Sequence, residues 1–475
     1  MHLTKSLFVD YLTYPKLARW KANNSDVYKT IRKINSEEAQ DHIIQIGQAV
    51  ENAILDYLQQ KYQTTATDLM PMYHKPDVAQ TDASDDADDD DEVLVRASNS
   101  LPTLLARTLE AIQRHDRILY QPTFQHGDCL VRADFMVRNG HCYDLIEAKA
   151  KSGVRKEITD DGEKKKIGSI DPQFIHDLSF QAYVINHVLA SHELPALGTI
   201  TLAYLNRDYI KSGPLDLQQL IVEDIAGRVT ELDVIQRNKP TKIIVNDQLL
   251  DDATIEKTLT DMRRYLPLTE TAFNAICLRG GTKYLEYFGQ DKTAVFGTIM
   301  GPGIHHSNAS YIQDLYYQGR HAIQELTDDE IDGFNANAQQ FIAAYKACKT
   351  AAAPIIDEDA IRDAFSGFHY PICFYDYETI SVPVPFLDQT WPYMQTVVQY
   401  SLHKYYADGS LKHFGGVFVG EGEYSTTPIT IDRDPNRTDF EQNLAITGSY
   451  RDLLQQMLTD IGDDLETSTF VVRYE

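Results

Sequence analysis

The chain has 475 residues, 43% of them hydrophobic, and a formal net charge of −26. That length leaves room for two or three domains with ordinary cores. No apolar run approaches the ~18 residues a membrane span needs, and the N-terminus lacks a signal-peptide core. The five cysteines (Cys129, Cys142, Cys277, Cys348, Cys373) are scattered without a C-x-x-C pair. This argues against a disulfide framework, a zinc site or an iron–sulfur site, and for a cytoplasmic protein with no membrane partner.

The acidic charge is unevenly spread. Much of the excess lies between Asp82 and Glu92, where like charges repel, so residues 80–93 are expected to form a solvated, disordered loop. Residues 1–33 are instead basic and aromatic, with Lys5, Lys16, Arg19, Lys21, Lys29, Arg32 and Lys33 among Tyr11, Tyr14 and Trp20. A second basic stretch runs from Lys149 through Arg155 to Lys166. Either stretch alone is explained as a solvated face.

In chain order, Ile43, Ile46, Val50, Ile54 and Leu58 recur at helical spacing and predict a helix over 36–62. A second helix is expected over 100–118, entered at Pro102. Two apolar runs, Cys129–Arg138 and His141–Lys149, flank Asn139-Gly140 and predict a β-hairpin. A helix over 173–191 and a strand over 199–205 complete a mixed α/β domain ending near 265. Residues 266–368 read as a mainly helical connector, apart from a glycine-rich stretch over 280–303. From 369 to 475 the order is βββαβ: Ile372–Ile380, Val397–Tyr406, Leu411–Val419, a helix over 447–461, and Thr469–Tyr474.

A two-residue Asn139-Gly140 turn would pair Arg138 with His141 and Asp134 with Leu145. Glu147 and Lys149 then follow on the same face as Asp134. Two carboxylates on one face suit a hard divalent cation such as Mg²⁺ or Mn²⁺. Such an ion activates water and binds a scissile phosphate, and a neighbouring lysine stabilises developing charge. In a chain with 70 acidic residues, an isolated Asp…Glu-x-Lys match usually means an exposed strand. Two neighbours add weight. Glu51 lies one turn after Gly47 on the apolar side of its helix, which is costly for an unpartnered carboxylate. Gln181 and Tyr183 sit on an otherwise apolar helix.

Gly47-x-x-x-Glu51, Asp134, Glu147-x-Lys149 and Gln181-Ala-Tyr183, in that order, resemble the RecB-like branch of the PD-(D/E)XK nucleases. The opening Leu3-Thr-Lys-Ser-x-Phe8 to Tyr14-Pro-Lys16, and Tyr204–Tyr209, are similar to CRISPR-adaptation exonucleases. The resemblance spans about 1–265. It implies a PD-(D/E)XK core, a mixed sheet flanked by helices. Glu51, Asp134 and Glu147 would be metal ligands, Asp134, Glu147 and Lys149 catalytic, and Gln181 and Tyr183 supporting or substrate-contacting. Many such nucleases carry a cysteine where Tyr14 stands and three more later, holding an iron–sulfur cluster. Here only Cys277 lies near that region, so no cluster is expected.

Further on, Asp376 and Glu378 share a strand face, a pairing that suits a two-metal exonuclease site. Asp376-Tyr-Glu-Thr-Ile380, Pro383-x-Pro385, Pro392-Tyr393 and Gln399–His403 resemble a bacterial family of unknown function that joins a RecB-like nuclease to a DEDD-type exonuclease domain. That implies the first part of a ribonuclease-H-like sheet, either truncated before its later acidic ligands or degenerate, with an incomplete second metal site. No G-x-x-x-x-G-K-[ST] loop points to a nucleotide-driven motor. The expectation is a metal-dependent nuclease hydrolysing phosphodiester bonds, with DNA as substrate and partner, in repair or antiviral defence. The alternative is a non-catalytic nucleic-acid-binding or scaffold subunit that keeps the fold.

Overall fold

The computed structural model describes residues 2–24, 39–70, 100–160, 163–236, 239–269, 322–350, 356–418, 440–447, 449–462 and 469–472, with a few isolated positions between 272 and 320. The acidic run, most of the glycine-rich stretch and Tyr474 lie outside them. The chain forms two compact units, residues 1–349 with 386–392, and residues 350–385 with 393–475. Both are mixed α/β. No helix among the described residues is long and apolar enough to cross a membrane.

The first unit opens with β1 (Leu3–Thr4), α1 (Lys5–Thr13) and α2 (Pro15–Asn23), followed by the long α3 (Ala39–Tyr62). Thr4 caps α1, its hydroxyl accepting the Leu7 amide. On α3, Val50, Ile54 and Leu58 are buried, following the predicted helical spacing. After β2 (Thr67–Asp68), α4 spans Leu101–Gln113, ending short of the predicted 118. The cause is local: His115 takes φ +64°, which no right-handed helix can contain. The chain then turns into β3 (Ile118–Tyr120), whose Ile118 and Leu119 are fully buried.

Two sheets then share the chain. β4 (Thr123–His126) and β5 (Cys129–Arg132) join β1 in a three-stranded sheet. β6 (Phe135–Asn139) and β7 (Cys142–Lys149) enter a second sheet. The expected single strand Cys129–Arg138 is therefore two strands, broken at Ala133-Asp134. Two hairpin strands, β8 (Arg155–Asp160) and β9 (Glu163–Ile170), come next, and the second sheet resumes with β10 (Ile200–Leu205) and β11 (Ile221–Ile225). Its six strands lie in the order β11-β10-β7-β6-β3-β2. β10 runs parallel to β7, and β6 antiparallel to it.

The hairpin register differs from the expected one. Arg138 pairs with Tyr143 and Asn139 with Cys142, so the turn residues are Gly140 and His141. Gly140 alone of these takes a positive φ, +62°, the pattern of a turn with glycine at its first central position rather than an Asn-Gly turn. The slip moves each partner by two residues, so alternate side chains keep their faces. Continuing the ladder one step past Phe135–Ile146 sets Asp134 opposite Glu147.

Helix α5 (Pro172–Ser191) is capped by Asp171, which accepts the Gln173 amide, and starts with Pro172, whose missing N–H costs nothing there. It is buried along most of its length and packs against α1, β4 and β5, while α3 lies on β3, β7 and β10. The β8–β9 hairpin and a second one, β12 (Val229–Gln236) with β13 (Lys239–Asn246), were not foreseen from the sequence, and each forms a separate two-stranded antiparallel sheet. Arg155 on β8 donates to Asp224 of β11 and to Asp247, the residue after β13, and so ties the first hairpin to the six-stranded sheet and to the end of the second hairpin. The unit closes with α6 (Asp252–Tyr265), capped by Asp251, and a separate apolar cluster between Ile299 and Ile342.

The second unit holds the helix Glu358–Phe365 and a five-stranded sheet. Its strands β14 (Ile372–Ser381), β15 (Gln395–Tyr405) and β16 (Leu411–Phe418) are antiparallel neighbours. The fourth strand, β17 (Phe440–Thr447), was not predicted. It pairs parallel to β16, and the helix Tyr450–Ile461 starts only after it. The last strand, β18 (Thr469–Val472), runs parallel to β14 and completes the order β17-β16-β15-β14-β18. The helix covers the face carrying Tyr400 and Leu402, while Phe374 on the other face is 45% exposed.

Candidate active site

The break between β5 and β6 builds the site. At Asp134 the chain leaves one sheet for the other, and the carboxylate takes over part of the ladder: Asp134 Oδ2 accepts the Ala148 amide of β7 at 2.8 Å. Its backbone carbonyl accepts the Gln121 amide at 2.9 Å. Asp134 is thus fixed beside Glu147 from both ends. Across from it, Glu51 on α3 accepts a hydrogen bond from the Gln121 side chain. Glu51 and Asp134 line one cavity of about 460 Å³, together with Lys5, Thr4, Gln121 and Arg132.

Glu147 is 2% exposed and is held on every side. Its Oε1 accepts from Lys149 Nζ at 2.8 Å and from Lys5 Nζ at 2.7 Å. Its Oε2 accepts from Gln181 Nε2 at 2.9 Å. Asp177, one turn before Gln181 on α5, completes the cluster, taking Lys149 Nζ at 2.6 Å and Gln181 Nε2 at 2.9 Å. The i, i+4 spacing puts Asp177 and Gln181 on one helix face. Lys149 Nζ also lies 5.2 Å from the centre of the Phe174 ring, a favourable cation–π distance.

The two neighbouring carboxylates are pushed in opposite directions. Burial works against the charge on Glu147, but the Lys149 and Lys5 ammoniums outweigh it and hold its carboxyl well below the usual range. Asp134 is pushed well above that range, first by burial, then by the charge of Glu147, with Lys5 offsetting only part. The Lys5 and Lys149 ammoniums are both pushed up: burial opposes their charge, but Glu147 and the other carboxylates prevail.

Of the residues expected at the site, Asp134, Glu147, Lys149 and Gln181 come together, with Glu51 facing Asp134 across the cavity. Tyr183 goes elsewhere. Two residues beyond Gln181 it points about 200° around the helix, and its ring packs on His187 at 4.3 Å and His126 at 6.1 Å. Lys5 and Asp177 were not singled out as site residues, although Asp177-x-x-x-Gln181 in a helix this apolar was a readable signal. Asp376 and Glu378 lie on the exposed face of β14, alternating with the half-buried Tyr375 and Tyr377.

Among the described residues, no three His, Cys, Asp or Glu side chains converge as a ready-made metal cage. The donor chemistry nevertheless suits a hard cation, because Asp134, Glu51 and Glu147 offer only carboxylate oxygens. Asp134 Oδ1 accepts no hydrogen bond from the described residues and belongs to a side chain on the cavity wall. Burial and the neighbouring carboxylates together drive Asp134 upward, and a divalent ion would relieve the carboxylate share of that.

Residues 373–474, which include most of the sheet of the second unit, match a family described only as a domain of unknown function (DUF2779). No curated protein and no solved structure matches the chain.

Proposed function

We propose that this chain is a metal-dependent nuclease of the PD-(D/E)XK type that hydrolyses phosphodiester bonds, with DNA as its substrate. The observation that carries the reading is the placement of Asp134 opposite Glu147 at a break between two sheets, with Lys149 one side chain further along the same face and Glu51 across a shared cavity. Asp134, Glu51 and Glu147 would hold Mg²⁺ or Mn²⁺. When bound, the ion supplies an activated water and a positive centre for the phosphate. The protein's own groups do the rest. Lys149, anchored by Asp177, orients Glu147. Gln181 fixes the second oxygen of Glu147. The Ala148 amide sets the plane of the Asp134 carboxylate. A role in repair or antiviral defence fits this activity.

For the second unit, we read the strand order β16-β15-β14-β18, with β18 parallel to β14, as supporting a ribonuclease-H-like, DEDD-type sheet. Asp376 and Glu378 would be an incomplete second metal site.

A specific observation favours one rival, a non-catalytic nucleic-acid-binding or scaffold subunit. Both oxygens of Glu147 are already taken by Lys5, Lys149 and Gln181, as in a structural ion-pair network. Cleavage separates the two readings. The full chain should cut labelled single- or double-stranded DNA in Mg²⁺ or Mn²⁺, stop in EDTA, and resume when the ion is restored. No cutting of DNA or RNA under any of these conditions would leave the scaffold.

A further inference from the structure

Two lysines share one oxygen of Glu147, yet they are not equivalent. Lys149 is enclosed: its side chain is 16% exposed, and it is bound at once by Glu147, by Asp177 at 2.6 Å and by the Phe174 ring. Lys5 is 30% exposed and has one close anion, Glu147 at 2.7 Å, with Asp177 only at 4.0 Å. Lys5 also lines the cavity that Asp134 and Glu51 line, and Lys149 does not. Its backbone is fixed, because Leu3 and Thr4 pair with Cys129 and Leu130 while Thr4 caps the helix that Lys5 begins. The lysine stem alone is left to move.

Resting on the nuclease reading, we infer that Lys5 is the substrate-contacting cation of this site, binding a non-bridging oxygen of a nucleic-acid phosphate from the cavity wall, while Lys149 acts as a positioning residue behind Glu147. An ammonium has three donors, and Lys5 directs one at Glu147. A phosphate entering the cavity brings a second anion within reach of a flexible stem. When Lys5 turns toward it, Glu147 Oε1 gives up one of its two ammoniums, and its negative charge is left less compensated behind Asp134, which lines the cavity. Substrate entry thereby unmasks the carboxylate that the resting cluster neutralises. Lys149 cannot do this without abandoning Asp177 inside the protein, which is costly for a buried pair.

The test uses the full chain and a labelled DNA oligonucleotide, with Ca²⁺ in place of the cleaving ion, and measures affinity across a salt series. Each phosphate contact contributes about 0.7 to the log–log salt slope on single strands and about 0.9 on duplex DNA. Lys5→Met should lower the slope by about that one contact. Lys5→Arg should restore it, and Lys149→Met should leave it unchanged while cleavage falls. Lys5→Gln replaces Lys5→Met if the latter loses its native melting transition. A folded Lys5→Met or Lys5→Gln protein with the wild-type slope, alongside an active wild type and an inactive Glu147→Gln, would reduce Lys5 to a structural partner of Glu147. A wild type that neither binds nor cuts would overturn the nuclease reading and this assignment with it.

Discussion

Glu147→Gln is expected to abolish detectable cleavage, a loss of at least about 10³-fold, while the protein stays folded. A single donor to developing charge is worth about 10²–10³-fold, and an anionic ligand counts for at least as much, because its loss removes what would hold the ion that supplies the positive centre. The shape is kept. The substituted side chain retains a carbonyl oxygen that can still accept from Lys5 and Lys149. Its new NH₂ group would meet the NH₂ of Gln181, but Gln181 has a remedy, because its own Oε1 is buried without a hydrogen-bond partner. A flip of the Gln181 amide turns that oxygen toward the new NH₂ and gives up the bond to the Asp177 carboxylate, a loss of about 1.5–3 kcal/mol for a bond to a charged group. Circular dichroism should therefore be unchanged and melting only modestly lower. Full activity in a folded Glu147→Gln protein would place the chemistry elsewhere.

Phe180→Ala should destabilise the first unit by about 3–5 kcal/mol, as expected for truncating a fully buried aromatic. Phe180 and Phe8 are both 0% exposed, and their rings lie 5.0 Å apart at 30°. They join α5, which carries Asp177 and Gln181, to α1, which carries Lys5. Such a ring pair adds about 0.5–1.5 kcal/mol beyond area burial. The substitution should lower the urea midpoint and loosen Lys5 from Glu147, so cleavage at moderate temperature falls as well. Phe374→Ala is the control: that ring is 45% exposed, and its loss should change stability by no more than about 0.5 kcal/mol. Equal effects of the two substitutions would contradict the packing described for α1 and α5.

Much of this site was legible because it lies on elements of regular period. A strand alternates with period two, so Asp134, Glu147 and Lys149 kept a common face even though the turn shifted from Asn139-Gly140 to Gly140-His141. The spacing of Val50, Ile54 and Leu58 likewise placed Glu51 on the side of α3 that meets the sheet. What escaped was long-range or irregular. Lys5 meets a carboxylate 142 positions away, and no local pattern encodes that contact. The strand break at Ala133-Asp134 carries no glycine or proline. It arises because one apolar run serves two sheets, and it is what frees the Asp134 side chain to accept a β7 amide. Tyr183 looked equivalent to Gln181 by proximity in sequence, but the helix rotates it to the opposite side. In the second unit, the strand Phe440–Thr447 follows a long polar stretch and alternates weakly, so only its pairing with β16 reveals it.

Mn²⁺ binding tests most directly whether Asp134, with Glu51 and Glu147, forms a metal centre. The full chain carries 70 acidic residues, so weak, salt-sensitive Mn²⁺ binding is expected regardless of the site. The informative quantity is a tight class of bound ion, resolved by titration calorimetry or electron paramagnetic resonance at moderate salt. Asp134→Asn is the matching variant, because its amide oxygen can still accept the Ala148 N–H and preserve the strand crossing. The expected result is a tight, saturable Mn²⁺ site in the wild type that is lost in Asp134→Asn while weak binding persists. Identical titrations for the two proteins, or no tight class in the wild type, would contradict the metal centre.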